Sequence, residues 1–215
     1  MKRVAICLAA SLLLIAAASQ AAPVDTKAGT KAMVFQFSGL SNLGVSGYQG
    51  GIGMRYYLND GMALRPGVDF NFGNSSTKGG AGFTDDKAND LGFGLSLALE
   101  KHMKGPENIS PYMGLGAGFS MSSTSDQPTV PDPTPAGTHT KHTVSSTGFN
   151  LFGMLGFEWG FAENMTLGGE YRLGFGYASG KVEDEYIGAA TVKSDETSGF
   201  GLGVSTASVY LSVGW

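Results

Sequence analysis

Apolar and polar residues alternate with a period of two along most of the chain. The pattern is carried by Met33–Gly39 (MVFQFSG), Gly51–Leu58 (GIGMRYYL), Met62–Gly73 (MALRPGVDFNFG) and Asp90–Glu100 (DLGFGLSLALE). It continues in Tyr112–Met121 (YMGLGAGFSM), Phe149–Trp159 (FNLFGMLGFEW), Met165–Tyr177 (MTLGGEYRLGFGY) and Val204–Trp215. Successive strand side chains point to opposite faces, so each segment predicts a β-strand with one apolar and one polar face. Most are close to the roughly 9–11 residues with which a tilted strand crosses a bilayer.

The connections alternate in length. Asn59–Gly61 (NDG) is a strong hairpin signal. Phe161–Asn164 (FAEN) is equally tight, and KHMKGPENISP between the fourth and fifth segments is of moderate length. Apart from the first, the remaining connections are long and polar: NSSTKGGAGFTDDKAN, the Pro/Thr/Ser-rich SSTSDQPTVPDPTPAGTHTKHTVSS, and the stretch from Ser179 to about Gly201. An even number of strands returns both termini to one side, and the short turns fall on that side. The expected fold is all-β: a transmembrane antiparallel up-and-down β-barrel of eight strands, with short turns at one end and long loops at the other.

Alternation alone leaves open which face is wet, because a soluble barrel alternates too. The residue types decide it. The apolar row is nearly continuous, as in Leu91, Phe93, Leu95, Leu97 and Leu99. The opposite row of the fifth segment is Gly114, Gly116, Gly118 and Ser120, which suits a crowded interior better than a solvated sheet face. The mature lysines fall in loops or at strand ends, whereas Arg55, Arg65 and Arg172 sit on the polar rows with Asp69, Glu100, Glu158 and Glu170. An arginine facing lipid at the midplane would cost about 2–4 kcal/mol. Turned inward, its planar fork pairs with carboxylates. These seven residues are predicted to form an ion-pair network in the lumen, with the apolar rows against lipid. Pro66, on a lipid-facing position of the third segment, removes a ladder donor and predicts a bulge or irregularity.

Composition adds limits. The chain holds 34 glycines among 215 residues, and its net charge of -4 argues against a nucleic-acid partner. At the start, Lys2 and Arg3 precede the apolar run Val4–Ala18, followed by Ser19 and Ala21. This reads as a secretory signal peptide over residues 1–21, cleaved after Ala21, with a barrel domain over 22–215. Cys7, the one cysteine, falls in the leader, so no disulfide or thiolate metal site is expected in the mature domain.

The leader, the eight alternating segments, the alternately short and long connections and the closing VYLSVGW together resemble the small eight-stranded outer-membrane proteins, the OmpA/OmpX-type barrels and their opacity-protein relatives. The resemblance covers nearly all of the mature chain. It implies a monomer surrounded by outer-membrane lipids, and no OmpA-like periplasmic domain is expected after the barrel. It also implies recognition of the last strand by the barrel-assembly machinery. Val209, Leu211, Val213 and Trp215 would carry that signal, with tryptophan where the family usually has phenylalanine.

Other candidate chemistry is thin. GLGAGF (Gly114–Phe119) and GFGLG (Gly199–Gly203) lack the Lys-Ser/Thr and helix onset of a phosphate loop, so no cofactor is assigned. His139 and His142 stand in the long third outer loop near Asp126 and Asp132, but the spacing matches no known ligand pattern and no metal site is assigned. His102 is expected at the membrane interface. With no histidine near a strand serine, no catalytic residue is assigned. An eight-stranded interior is just wide enough for side chains to fill, which favours a plug over a gate. The expected role is structural, supporting the envelope and offering loops 75–89, 123–147 and 180–201 to a surface ligand. The alternatives are a narrow channel for ions or small solutes and, third, a lipid-modifying enzyme.

Overall fold

The alternating rows fold into staves of one continuous antiparallel sheet. The computed structural model describes residues 22–37, 47–131, 133–204 and 207–215. The leader, the first connection and Asp132 lie outside the described residues. The strands are β1 (Lys31–Phe37), β2 (Gly47–Asn59), β3 (Met62–Thr77), β4 (Asp86–His102), β5 (Ile109–Gln127), β6 (His139–Ala162), β7 (Met165–Tyr186), β8 (Val192–Lys193), β9 (Thr197–Val204) and β10 (Ser208–Gly214). Neighbours in sequence pair from β1 to β7, and β10 pairs both β7 and β1, with Met33 opposite Val213. The sheet thereby closes into a ring of eight staves.

The eighth stave is not the single strand that the pattern suggested. β8, β9 and β10 all pair β7. Leu173 pairs Val204 and Glu170 pairs Ser208. Three steps along β7 thus match four along the closing stave, the signature of one extra residue. The tight turns lie where expected. Gly61 has a φ of 74° and Asn164 a φ of 59°, left-handed conformations that glycine and asparagine tolerate best.

The strands are longer than the apolar rows. β6 has 24 residues and β7 has 22, about twice what a tilted stave needs to cross a bilayer. The outward apolar row of β6 runs from Phe149 to Trp159, and the residues before it are polar. Much of what reads as loop in 75–89, 123–147 and 180–201 is instead strand, because Ser and Thr pair across β5–β6 and β6–β7 from Met121 to Asp126 and from Lys141 to Thr147. Threonine favours strands without apolar alternation to reveal it. A sheet made from the outer ends of β3 to β7 therefore stands above the apolar band.

Pro66 leaves a gap and not a bulge. Gly53 pairs Gly67 and Tyr56 pairs Leu64 in one unbroken register, with the rows between them missing. The register shift of this hairpin lies lower, between Tyr57 and Asn59.

Facing is inverted relative to a soluble protein. The large outward residues are solvent-accessible apolar side chains such as Leu115, Leu151, Leu155 and Phe157, while Arg55, Arg65, Glu100, Glu158 and Glu170 are buried inside. Glycine makes that interior possible. Gly156 lies opposite Tyr112 and Gly168 opposite Tyr210, and a Cβ at either glycine would run into the neighbouring tyrosine ring. Each ring lies over a bare stretch of backbone, filling lumen that two ordinary side chains would overfill.

Candidate functional site

Arg55 on β2 and Arg65 on β3 face each other across their hairpin and both reach Glu100 on β4. Arg55 Nε donates to Glu100 Oε2 at 2.5 Å, and Arg65 Nη1 lies 2.9 Å from Glu100 Oε1. Arg55 Nη1 also bonds Glu158 on β6. Arg65 Nη2 continues to Glu170 Oε2 on β7 at 2.5 Å, and Arg172 Nε reaches the other oxygen of Glu170 at 2.6 Å. Arg172 in turn donates to Gln36 Oε1 on β1 at 3.3 Å. One chain of alternating charge thus crosses the lumen and ties six staves together.

Aromatic side chains complete the layer. The Tyr112 hydroxyl donates to Glu170 Oε2 at 2.7 Å, and the Arg55 guanidinium lies 5.7 Å and 5.6 Å from the Tyr112 and Tyr210 ring centroids. These are distances at which a cation is attracted to a ring face. Arg55 is 1% exposed and Glu100 0%. At such burial the charges persist only because every fork and carboxylate is paired.

Six of the seven predicted network residues meet in this layer: Arg55, Arg65, Glu100, Glu158, Glu170 and Arg172. Asp69 does not join it directly. It lies further out, accepting from Ser96 Oγ at 3.5 Å, and lines a cavity of about 440 Å³ with Gln36, Asn71, Asn150 and Arg172. This cavity occupies the outer half of the lumen. A second, of about 580 Å³, lies beside it against β9.

Sequence reasoning left Tyr57 and Tyr112 out of the lumen layer and set His102 at the membrane interface. The imidazole is 5% exposed inside the lumen and not at the membrane interface. Its Nε2 is 3.3 Å from both Glu100 Oε2 and the Tyr57 hydroxyl, and its Nδ1 is 2.9 Å from Ser110 Oγ. The signal was parity: His102 lies two residues from Glu100 on the same row. The contact also corrects the expectation that no histidine approaches a strand serine. Ser110, His102 and Glu100 line up as hydroxyl, imidazole and carboxylate, the groups of nucleophilic catalysis. Ser110 is nevertheless buried and lines neither large cavity, and Glu100 is already held by two guanidinium groups.

The layer is closed from the short-turn side by the segment before β1. Ala22 N donates to Gly160 O at 3.1 Å and Gly29 N to Tyr57 O at 2.8 Å. Pro23 and Val24 pack at a small cavity beneath Arg55 and Glu158. On the closing stave Tyr210 and Ser212 are buried inward, while Val209, Leu211 and Val213 alternate outward and Trp215 is exposed at the rim. Trp159, Phe161 and Tyr56 lie at the same end of their strands, an aromatic belt of the kind found at membrane–water interfaces.

Comparison with the curated proteins returned no match. Among solved structures, the barrel is similar to a major outer membrane protein from Thermus thermophilus, with a TM-score of 0.58 and 16% identity, covering 87% of this chain and 100% of that one. At that identity the likeness is one of fold. The sequence matches the family described as Outer membrane protein beta-barrel domain over residues 5–207. With the inverted facing, the closed ring of eight staves and this match, the chain belongs to the outer-membrane protein β-barrel family.

Proposed function

We propose that this protein is a structural outer-membrane barrel, exported with a cleaved leader, whose lumen is plugged and whose protruding sheet is its working surface. The observation that carries this reading is the charged layer itself. Arg55, Arg65, Glu100, Glu158 and Glu170 are at most 6% exposed, which supports a lumen filled at this level by side chains. Val209, Leu211, Val213 and Trp215 form the lipid-facing edge offered to the assembly machinery, and Lys141, Lys181, Glu183 and Glu185 are charges carried on the outward face of the protruding sheet.

A second reading, a narrow channel for ions or small solutes, is favoured by the outer cavity, which brings polar groups to within one layer of the opposite mouth. Conductance of the refolded protein in planar bilayers separates the two. The plugged barrel gives no discrete openings, and replacing Arg55, Tyr112 and Tyr210 together by alanine produces them. Regular openings of the unaltered protein would overturn the structural reading.

A further inference from the structure

His139 and His142 are three residues apart on β6, a spacing that puts side chains on opposite faces of a regular strand. Here the strand is irregular at that point. His139 pairs Tyr186 and Lys141 pairs Glu185, two steps on β6 against one on β7. The extra residue is a bulge, a device that re-aims side chains next to functional sites. It returns His139 to the face that carries His142 and, directly across from His142, Asp184.

The three side chains converge. Asp184 Oδ1 is 3.0 Å from His139 Nε2 and 2.6 Å from His142 Nδ1, and all three ligand atoms lie within 4.8 Å of one another. Zinc bonds of about 2.0–2.2 Å in tetrahedral array hold ligand atoms roughly 3.3 Å apart, a spacing that rotation of the two imidazoles and the carboxylate reaches from the present one. The Tyr186 ring lies 5.2 Å from that of His139 and buttresses it. On the other side of β6, Asp126 of β5 takes the register position opposite His142 and adds negative charge. The shared face continues the inward row of β6, so the group looks over the outer mouth of the lumen.

We propose that His139, His142 and Asp184 bind one divalent transition-metal ion of the zinc class. Two imidazoles and one carboxylate suit zinc and its neighbours, whereas magnesium and calcium prefer all-oxygen sites. Three protein ligands leave a coordination position open to water or to an outside ligand. The site is independent of whether the lumen conducts.

The test is calorimetric titration of untagged, refolded protein in detergent with Zn²⁺ and separately with Mg²⁺, alongside the visible spectrum with Co²⁺. One Zn²⁺ per chain, no Mg²⁺ uptake and a tetrahedral cobalt spectrum are expected. His139→Gln or His142→Gln should weaken zinc by at least the roughly 10–100-fold lost when an outer-shell partner is removed. Asp184→Asn, which keeps the shape and a hydrogen-bond acceptor, should weaken it similarly and abolish the cobalt bands. Heat-dependent gel migration verifies that each variant is folded. Absence of stoichiometric zinc binding by the folded parent, or undiminished binding by the His139→Gln/His142→Gln double variant, would overturn the proposal.

Discussion

Glu100 accepts Arg55 on one oxygen and Arg65 on the other while His102 approaches from the same strand. Its replacement by alanine leaves two guanidinium groups half-paired in a dry lumen. Breaking a buried pair in this way costs about 3–5 kcal/mol, so urea unfolding of Glu100→Ala in lipid should lose stability of that order. A loss well under 1 kcal/mol would mean that water enters the layer freely. The network residues were legible because parity and residue type agreed: a mid-strand arginine on a polar row has nowhere else to go. Asp69 shares that parity but sits in the outer half, where polar side chains, Arg172 among them, surround a cavity and Ser96 donates to it. Depth along the stave, which separates it from Glu100, is set by tilt and stagger, and alternation carries neither.

Along a single strand the same contrast appears as a boundary. β6 faces lipid with Phe149, Leu151, Leu155 and Phe157 and then continues outward with polar residues. Leu155→Arg, near the middle of the apolar row, should cost about 2–4 kcal/mol. Thr143→Arg, on the same face beyond the row and opposite Glu183, should stay within about 0.5 kcal/mol. Comparing unfolding midpoints of the two variants locates the edge of the bilayer on the strand, and equal penalties would refute it. That boundary is also where the sequence stops speaking. Strands up to Gly73 or from Phe149 announce themselves through apolar alternation, but Ser122–Asp126 and Lys141–Thr147 form rungs with no apolar member at most positions. The bulge beside His139 is invisible for a related reason, since it depends on the pairing partner and leaves no mark in the spacing. The break in the closing stave likewise appears only when both partners' registers are known.

At the scale of the whole molecule the staves make a tube of unequal halves. Towards the short turns it is filled by Arg55, Glu100, Glu158 and their tyrosine neighbours and capped by Pro23 and Val24; towards the long hairpins it holds the cavity of about 440 Å³. On the plugged reading proposed above, such a vessel is a cul-de-sac: a solute that enters leaves by the door it used, and the two compartments the membrane divides never share a wall residue. Because Cys7 is the one cysteine of the sequence, that sidedness can be mapped against a silent background. Asn150→Cys, on the cavity wall, should react on intact cells with a maleimide that cannot cross membranes. Thr166→Cys, on the far side of the ionic layer at the small inner cavity, should react only after the envelope is opened. Labelling of both from outside would reveal a passage through the floor.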